Sequence, residues 1–226
     1  MNMNKMNDKR DLLTGTGLLL GFGLWTLLIQ TVDVRPLGQN GTDIGFAALN
    51  LRFHRLTGVH LALYTVTDWL GLVPILICLC FGALGFLQLL RQRSLARLDA
   101  DLLLLGVYYA LVILAYLFFE AVPINYRPVP INGVMEASYP SSTTLLVLSV
   151  MPTLTFQLDR RSENAALRTV TKAFSALFSV FMVLGRLVSG VHWVTDIVGS
   201  ALLSAGLFLL YRFAVRFAER RRHGIS

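Results

Sequence analysis

Six apolar stretches, each long enough to cross a lipid bilayer, dominate this chain. A transmembrane helix needs about 20 predominantly apolar residues. The stretches lie at about 12–31, 69–90, 102–121, 141–158, 169–188 and 193–215. Only 15% of the 226 residues are charged, whereas soluble domains carry about 25%. The sequence therefore predicts an all-α integral membrane protein, a bundle of six transmembrane helices that forms one domain over residues 1–226.

The segments between these stretches are predicted to be irregular at about 32–68 and 122–140. We expect proline kinks at Pro152, in the short fourth stretch, and at Pro74, in the second. Within the first stretch, Gly17 and Gly21 form a GxxxG pair, for which we expect close helix packing, either inside the chain or between the protomers of a homodimer. The first stretch is about 20 residues long and no small-residue cleavage site follows it, so we expect it to be retained as a span.

Lysine and arginine are divided unequally between the two sides of such a bundle. If the N-terminus is cytoplasmic, 15 of the 20 basic residues fall on that side and 5 on the other. The cytoplasmic set is Lys5, Lys9, Arg10, Arg91, Arg93, Arg97, Arg160, Arg161, Arg168, Lys172, Arg212, Arg216, Arg220, Arg221 and Arg222, and the outer set is Arg35, Arg52, Arg55, Arg127 and Arg186. Cytoplasmic loops carry the excess of basic residues, so both termini are predicted to be cytoplasmic. The same asymmetry explains the net charge of +7 without nucleic acid as a partner, and contact of the basic tail with anionic membrane lipids is an alternative use of it.

No cofactor is expected from the sequence. The four histidines are His54, His60, His192 and His223, and no pair of them has a metal-ligand spacing with carboxylates nearby.

Three polar clusters lie at span ends on the predicted outer side: Asn125–Pro128, Tyr139–Thr144 and Gly185–Asp196. An arginine or aspartate near the bilayer centre costs at least about 2.5 kcal/mol. Arg186 and Asp196 are therefore expected to face a polar cavity and to have partners there.

The spacing of His192 and Asp196 suggests a chemical role. Residues four apart on a helix share a face, so Asp196 can accept a hydrogen bond from one imidazole nitrogen and leave the other free as a nucleophile or base. Arg127 and Arg186 can give bidentate hydrogen bonds to phosphate oxygens. Together these groups indicate phosphoryl transfer through a phosphohistidine.

The start of the fourth stretch adds an anion-binding element. Pro140 is followed by Ser141, Ser142 and Thr143, whose hydroxyl groups and backbone N–H groups at a helix N-terminus suit phosphate. A histidine–aspartate pair alone is more often a satisfied polar contact between helices. Three clusters on one side of the membrane argue against that interpretation. A small transporter or scaffold with an incidental polar cluster is a further alternative, but the sequence has no clear internal symmetry of the kind that transporters show.

In these clusters the chain resembles the type 2 phosphatidic acid phosphatase (PAP2) or lipid phosphate phosphatase family. The family motifs are Lys-x6-Arg-Pro, Pro-Ser-Gly-His and Ser-Arg-x5-His-x3-Asp. The third reads Gly185-Arg186-x5-His192-x3-Asp196 here. The order of the motifs and the six-span layout also match, and the resemblance covers about residues 60–215.

The resemblance implies a lipid phosphatase of the cell membrane that acts on the extracytoplasmic side without a metal. It implies that His192 is the nucleophile, that Asp196 orients it, and that Arg127 and Arg186 bind phosphate. Its substrates would be lipid phosphates or pyrophosphates.

Two departures from the family motifs bear on the chemistry. The family lysine is replaced by Glu120, and the second-motif histidine, which protonates the leaving group in the family, is replaced by Thr143. Loss of a general acid costs about 10²–10⁴-fold, but least when the leaving group is itself a phosphate, whose second pKa is near 6. Polyprenyl pyrophosphate is therefore the favoured substrate. His54, His60, Glu136 or Glu120 are candidate substitute acids, and a catalytically impaired relative that binds or moves phospholipids is the alternative.

Overall fold

A computed structural model describes residues 3–94 and 97–222, and within them the chain forms eight α-helices, a short 3₁₀ turn and isolated β-bridges instead of a sheet. The helices are α1 (Met3–Thr31), α2 (Ala47–Thr57), α3 (Leu61–Leu70), α4 (Leu72–Gln92), α5 (Ala100–Ala121), α6 (Ser142–Arg161), α7 (Ala165–Val188) and α8 (Val194–Arg222). His223 and the side chain of Lys5, both named from the sequence, lie outside the described part. The predicted all-α fold is confirmed.

The first and last helices run antiparallel along most of their length. Near one end, the carboxylate of Asp11 accepts hydrogen bonds from Arg212 Nε at 2.9 Å and Nη2 at 2.6 Å. Near the other end, Trp25 Nε1 donates to the carbonyl oxygen of Thr195 at 3.1 Å. The beginning of α1 and the end of α8 therefore lie together, at the opposite end of the bundle from the start of α8.

Helix α6 lies at the centre of the bundle, in contact with α4, α5, α7 and α8. Several of its polar groups form hydrogen bonds with these neighbours. Tyr108 on α5 donates to the carbonyl oxygen of Ser149 at 3.0 Å, and Gln157 donates to the hydroxyl of Tyr211 on α8 at 2.6 Å. Because each of these groups has a partner inside the bundle, a polar helix can be buried there without a large cost.

Five stretches of the described chain are long and apolar enough to cross a membrane: Met6–Thr31, Leu61–Gln92, Ala100–Ala121, Ala165–Val188 and Val194–Arg222. The predicted fourth span, α6, has the length but is too polar to qualify. Its crossing of the membrane, and with it the six-span layout, stays a prediction.

The segment 32–68 is not irregular throughout, as the sequence suggested, because α2 and most of α3 lie within it. The second span begins earlier than expected and runs from Leu61 to Gln92 with an interruption at Gly71, three residues before Pro74. Hydropathy missed α3 because its polar residues face the site described below. Helix α6 continues through Pro152.

The glycine pair of α1 does not pack inside the chain. A Cβ atom added at Gly17 or Gly21 would meet no atom of the described residues within 4 Å. Gly15, two residues earlier and therefore on a different face, makes the close contact instead: a Cβ there would lie 3.1 Å from the carbonyl oxygen of Gly206 on α8. Packing of Gly17 and Gly21 within the chain is thus wrong, and packing between protomers is untested.

Candidate active site

His192 lies in the tight connection between α7 and α8. The connection turns at Gly190, whose φ of +74° is a left-handed conformation that favours glycine. Its backbone also lies directly against the carbonyl oxygen of Gly58, so a side chain at position 190 has no room. This turn directs the His192 side chain into the protein, where the residue is 3% exposed.

Two oxygen atoms face the same ring nitrogen of His192. Nδ1 lies 3.1 Å from the carbonyl oxygen of Ser138 and 3.6 Å from Oδ2 of Asp196. Both oxygens are acceptors, so we assign the ring proton to Nδ1. Nε2 then carries a lone pair, and this buried atom has no hydrogen-bond partner among the described residues.

Burial also keeps this imidazole neutral. It lowers the pKa of His192 from its ordinary value to about 4, with further lowering by the nearby positive charges of Arg127 and Arg186 and an opposing effect of Asp196. At neutral pH the Nε2 lone pair is therefore available. A neutral, oriented imidazole of this kind can act as a nucleophile or as a base.

Asp196 supports His192 differently from the way the sequence suggested. Helix α8 begins at Val194, so His192 precedes the helix and the pair does not share a helical face. The Asp196 carboxylate accepts the backbone N–H of Trp193 at 2.8 Å and an N–H of Asn125 at 3.4 Å. These bonds fix the carboxylate beside His192, while the carbonyl of Ser138 is the nearer acceptor for Nδ1.

Arg186 is almost fully buried, at 1% exposure, and is held mainly from α3. Its Nη2 donates to Thr143 Oγ1 at 2.6 Å and to Asp68 Oδ1 at 3.4 Å, and its Nη1 donates to Thr67 Oγ1 at 3.5 Å. The guanidinium also lies over the ring of Tyr64, 4.7 Å from its centroid. Its buried Nε has no partner among the described residues.

Arg127 reaches the same place from the segment between α5 and α6. Its Nη2 pairs with Glu136 Oε2 at 2.9 Å, and its guanidinium lies 5.8 Å from the centroid of the Tyr64 ring. Its Nε and Nη1 are buried and have no partner in the described part of the chain. One tyrosine ring therefore lies beneath both guanidinium groups, which brings Arg127 and Arg186 together.

The N-terminal turn of α6 carries the predicted hydroxyl cluster. Ser141 is the N-cap residue, but its hydroxyl donates to Thr144 Oγ1 at 3.0 Å and does not cap the helix. Ser142, which follows it, is partly exposed. Thr143 is buried with its Oγ1 on Arg186. Thr143 thus contacts Arg186, Ser142 lines a cavity that Arg127 also lines, and Ser141 is engaged internally.

Two cavities adjoin this helix turn. One, of about 170 Å³, is lined by polar groups that include Glu120, Arg127 and Glu136. The other, of about 350 Å³, is a mainly apolar groove between α4, α5 and α6. The two share Tyr116 and Ser142. The groove is lined by Asp68, Gly71, Leu72, Ile75, Val112, Ile113, Tyr116, Ser142, Thr143, Leu145 and Leu146.

Three residues of the site were not identified from the sequence: Tyr64, Thr67 and Asp68, all on α3. Their spacing of three and four residues is a helical signal, but it lies in a segment that hydropathy alone assigned to irregular structure. The third motif has Gly185 where the family motif has serine. This change is related to α3, because a Cβ at position 185 would lie 2.6 Å from the methyl carbon of Thr67. Glycine at this position lets α3 approach α7.

No three His, Cys, Asp or Glu residues in ranges 3–94 and 97–222 are grouped so that they could hold a metal ion.

Residues 80–220 match the family model described as the PAP2 superfamily. The chain belongs to the PAP2 superfamily. Its fold is similar to the crystal structure of the first transmembrane PAP2 type phosphatidylglycerolphosphate phosphatase from Bacillus subtilis, with a TM-score of 0.65 and 18% identity over 92% of this chain and 96% of that one. No curated protein matches the chain.

These findings confirm the resemblance inferred from the motifs and identify the chain as a multi-pass membrane protein. Family membership supports phosphatase chemistry in general. Helix α3, which supplies Tyr64, Thr67 and Asp68, precedes the matched segment.

Proposed function

We propose that this protein is a membrane lipid phosphatase that hydrolyses a lipid phosphate or pyrophosphate on the extracytoplasmic side through a phosphohistidine at Nε2 of His192. The observation that carries the proposal is a set of buried polar atoms without partners among the described residues: Nε and Nη1 of Arg127, Nε of Arg186 and Nε2 of His192. A buried polar group left unpaired costs about 1–3 kcal/mol, and more when it is charged. A phosphoryl group has oxygens for the three N–H donors and a phosphorus atom for the lone pair.

The chemistry follows from these groups. Nε2 of His192 attacks phosphorus, the bond to the leaving group breaks, and Arg127 and Arg186 stabilise the charge on the phosphoryl oxygens. The imidazole becomes cationic in the phosphohistidine, and Asp196 beside Nδ1 stabilises that cation. Water then displaces Nε2 and releases phosphate.

The N-terminal turn of α6 supports the same assignment. The backbone N–H groups that open a helix attract anions, and the turn formed by Ser141, Ser142 and Thr143 reaches Arg186 through the hydroxyl of Thr143. We assign these three residues to phosphate binding.

The groove supports a lipid as the substrate. It opens from Thr143 along apolar side chains of α4, α5 and α6, and it is the place for the first part of a hydrocarbon chain. A phosphate at the arginines and a chain in the groove fit one amphipathic molecule.

A pyrophosphate such as polyprenyl pyrophosphate is the favoured substrate within this class. The hydroxyl of Thr143, in the place of the family's acid histidine, accepts a hydrogen bond from Arg186 and is no acid at neutral pH. A leaving phosphate needs little protonation, whereas an alkoxide needs it to leave. Turnover of phosphatidate equal to or better than that of the pyrophosphate would contradict this preference.

The test is phosphate release by the purified protein in detergent from phosphatidate, phosphatidylglycerolphosphate, polyprenyl phosphate and polyprenyl pyrophosphate. We include phosphatidylglycerolphosphate because the similar structure is described as a phosphatase for it. His192→Ala should abolish release and the acid-labile phosphoprotein. The matched control is His60→Ala. His60 was a candidate acid from the sequence, but it is exposed, its ring contacts the carbonyl of Thr57 at 2.8 Å, and it lines neither cavity.

Release that survives in His192→Ala would overturn the proposal. Release from no substrate, with lipid binding retained, would favour the second candidate, a PAP2-like protein that binds or moves phospholipids without hydrolysis. The observation behind that candidate is the pair of carboxylates, Glu120 in the family's lysine position and Glu136 on Arg127, in the polar cavity.

The assembly belongs to the proposal as well. We propose no cofactor, and a homodimer that uses the outward face of α1 with Gly17 and Gly21. The mass of the protein in detergent micelles, measured for the parent chain and for Gly17→Leu, tests the dimer.

A further inference from the structure

The leaving-group oxygen of a lipid phosphate must lie between the phosphoryl group and the hydrocarbon chain. With the phosphoryl group on Arg186 and the chain in the groove, that place is the groove wall formed by Asp68, Ser142 and Thr143. Asp68 is the one carboxyl group that lines the groove among the described residues. Tyr116 is the other titratable side chain there.

Asp68 also lies beside the position that holds the acid histidine in the family. Asp68 Oδ1 and Thr143 Oγ1 share one atom of Arg186, its Nη2, at 3.4 Å and 2.6 Å. The break between α3 and α4 lies against the same threonine, since a Cβ at Gly71 would be 3.6 Å from its methyl carbon. Asp68, on α3, therefore lies close to the place on α6 from which the family's acid histidine would act.

The other candidate acids lie elsewhere. Glu136 is paired with Arg127, and Glu120 lines the polar cavity instead of the groove. His54 contacts the ring of Trp193 at a centroid distance of 5.6 Å. None of these lines the groove in which a lipid leaving group would depart.

The surroundings of Asp68 suit proton exchange. Its side chain is 56% exposed, whereas that of Arg186 is 1% exposed. Asp68 is therefore open to the groove while it contacts the buried arginine. The charged or titratable groups that face it are Arg186 from α7, Tyr116 across the groove and Tyr64 on its own helix.

We propose that Asp68 is the general acid for lipid phosphate monoesters, in the place of the histidine that this chain lacks. This rests on the proposed phosphatase function, and the pyrophosphate stays the favoured substrate because a carboxyl group that accepts a hydrogen bond from Arg186 replaces the acid histidine only in part. In the first step the N–P bond forms at His192, the P–O bond to the lipid breaks, and the carboxyl proton of Asp68 passes to the departing oxygen, which leaves as an alcohol. In the second step water attacks phosphorus, its proton passes to the Asp68 carboxylate, and the N–P electron pair returns to Nε2.

The low pKa of His192, about 4, fits this division of work. The imidazole stays neutral and nucleophilic and has no proton on Nε2 to give, so the proton for the leaving group must come from another side chain.

The test compares kcat/KM of the parent protein and Asp68→Asn on phosphatidate and on polyprenyl pyrophosphate. This constant covers the steps up to departure of the first product, so hydrolysis of the phosphohistidine, which both substrates share, does not enter. The asparagine oxygen still accepts the Arg186 hydrogen bond. We expect a loss of about 100-fold or more for the monoester, less than about threefold for the pyrophosphate, and a smaller monoester loss for Asp68→Glu.

The control is Asp43→Asn, an exposed aspartate that lines neither cavity, which should change neither constant. Equal losses for the two substrates in Asp68→Asn would make Asp68 a residue that only positions Arg186, and would overturn the proposal. A parent protein that hydrolyses the pyrophosphate but no monoester would also overturn it and leave the phosphatase function intact. Absence of all phosphate release would overturn both.

Discussion

The state of one imidazole decides what this site can do. Nδ1 of His192 faces two acceptor oxygens, whereas Nε2 has no hydrogen-bond partner among the described residues. Its environment combines burial with two guanidinium groups, and both disfavour a proton on Nε2. Asp196 opposes them. The imidazole is thus neutral, and in the mechanism that we propose Asp196 stabilises the cation that forms after phosphoryl transfer.

The low pKa of His192 leads to a measurable prediction. In ¹⁵N-histidine NMR spectra of the protein in detergent, the His192 signal should show the neutral, Nδ1-protonated form at pH 7 and should titrate near pH 4. The unfolded chain takes up this proton near its ordinary pKa of about 6.5. The contribution to stability is therefore present above about pH 6.5 and is lost as the pH falls toward 4. His192→Gln assigns the signal, and a midpoint at pH 6 or above would contradict the burial argument.

The residues of the site differ in how far the sequence could reveal them. His192, Asp196 and Arg186 lie within twelve residues, so spacing alone brought them together. Asp68 lies more than a hundred residues before Arg186, and no local pattern connects the two. The predicted contact between His192 and Asp196 arises from the turn before α8 and not from a shared helical face, because the helix boundary could not be fixed from periodicity.

Helix α3 supplies the residues that hold the two arginines of the site in place. It supplies Tyr64 under both arginines and two hydrogen-bond acceptors for Arg186. The polar face that binds Arg186 lowers the hydropathy of α3, which is why the second span is predicted to begin at about residue 69. The central helix α6 is also polar, but many of its polar residues lie inside the bundle. Several of its buried polar groups have partners within the bundle, and its length predicted it as a span although its composition does not qualify.

The close approach of α3 to α7 should depend on the missing side chain at position 185. Gly185→Ala places a Cβ 2.6 Å from the methyl carbon of Thr67, and the buried, β-branched threonine cannot rotate away freely. We expect α3 to shift from Arg186 and phosphate release to fall by about 10-fold or more, since a displacement of about 1 Å can cost about 100-fold.

Thr67→Ser removes that methyl group and keeps the hydroxyl that Arg186 contacts. It should therefore restore most of the activity in the double variant with Gly185→Ala. The matched control is Gly106→Ala, because a Cβ at Gly106 meets no described atom within 4 Å. No rescue by Thr67→Ser would contradict the proposed contact.

Charge is divided between the two ends of the whole molecule. The site, with Arg127 and Arg186, lies where α6 and α8 begin. The opposite end holds the ion pairs that join the helices there, including those of the buried Asp11 with Arg212 and Arg216. The arginines of these pairs belong to the larger set of basic residues, the one predicted to be cytoplasmic. Acidic residues contribute little to the rule that basic loops stay in the cytoplasm, so these pairs do not weaken the predicted orientation.

The orientation and the sixth span can be tested together, because α6 alone separates two exposed loop positions. Val134 lies between α5 and α6 with 58% exposure, and Glu163 lies between α6 and α7 and is exposed. In bacterial cells that produce the chain with Cys78 and Cys80 replaced by alanine, Val134→Cys should react with a membrane-impermeant maleimide. Glu163→Cys should react only after the cells are permeabilised.

Each alternative gives a different labelling pattern. Reaction of both cysteines in intact cells, or of neither, would mean that α6 does not cross and that its polar residues are buried by the bundle alone. Reaction of only the Glu163→Cys variant would keep six spans and reverse them. The site with His192 would then face the cytoplasm, and the excess of basic residues would lie outside, against the charge rule. The predicted pattern makes one membrane crossing of a polar helix consistent with the charge distribution, because every neighbour of α6 that shields it is an apolar span.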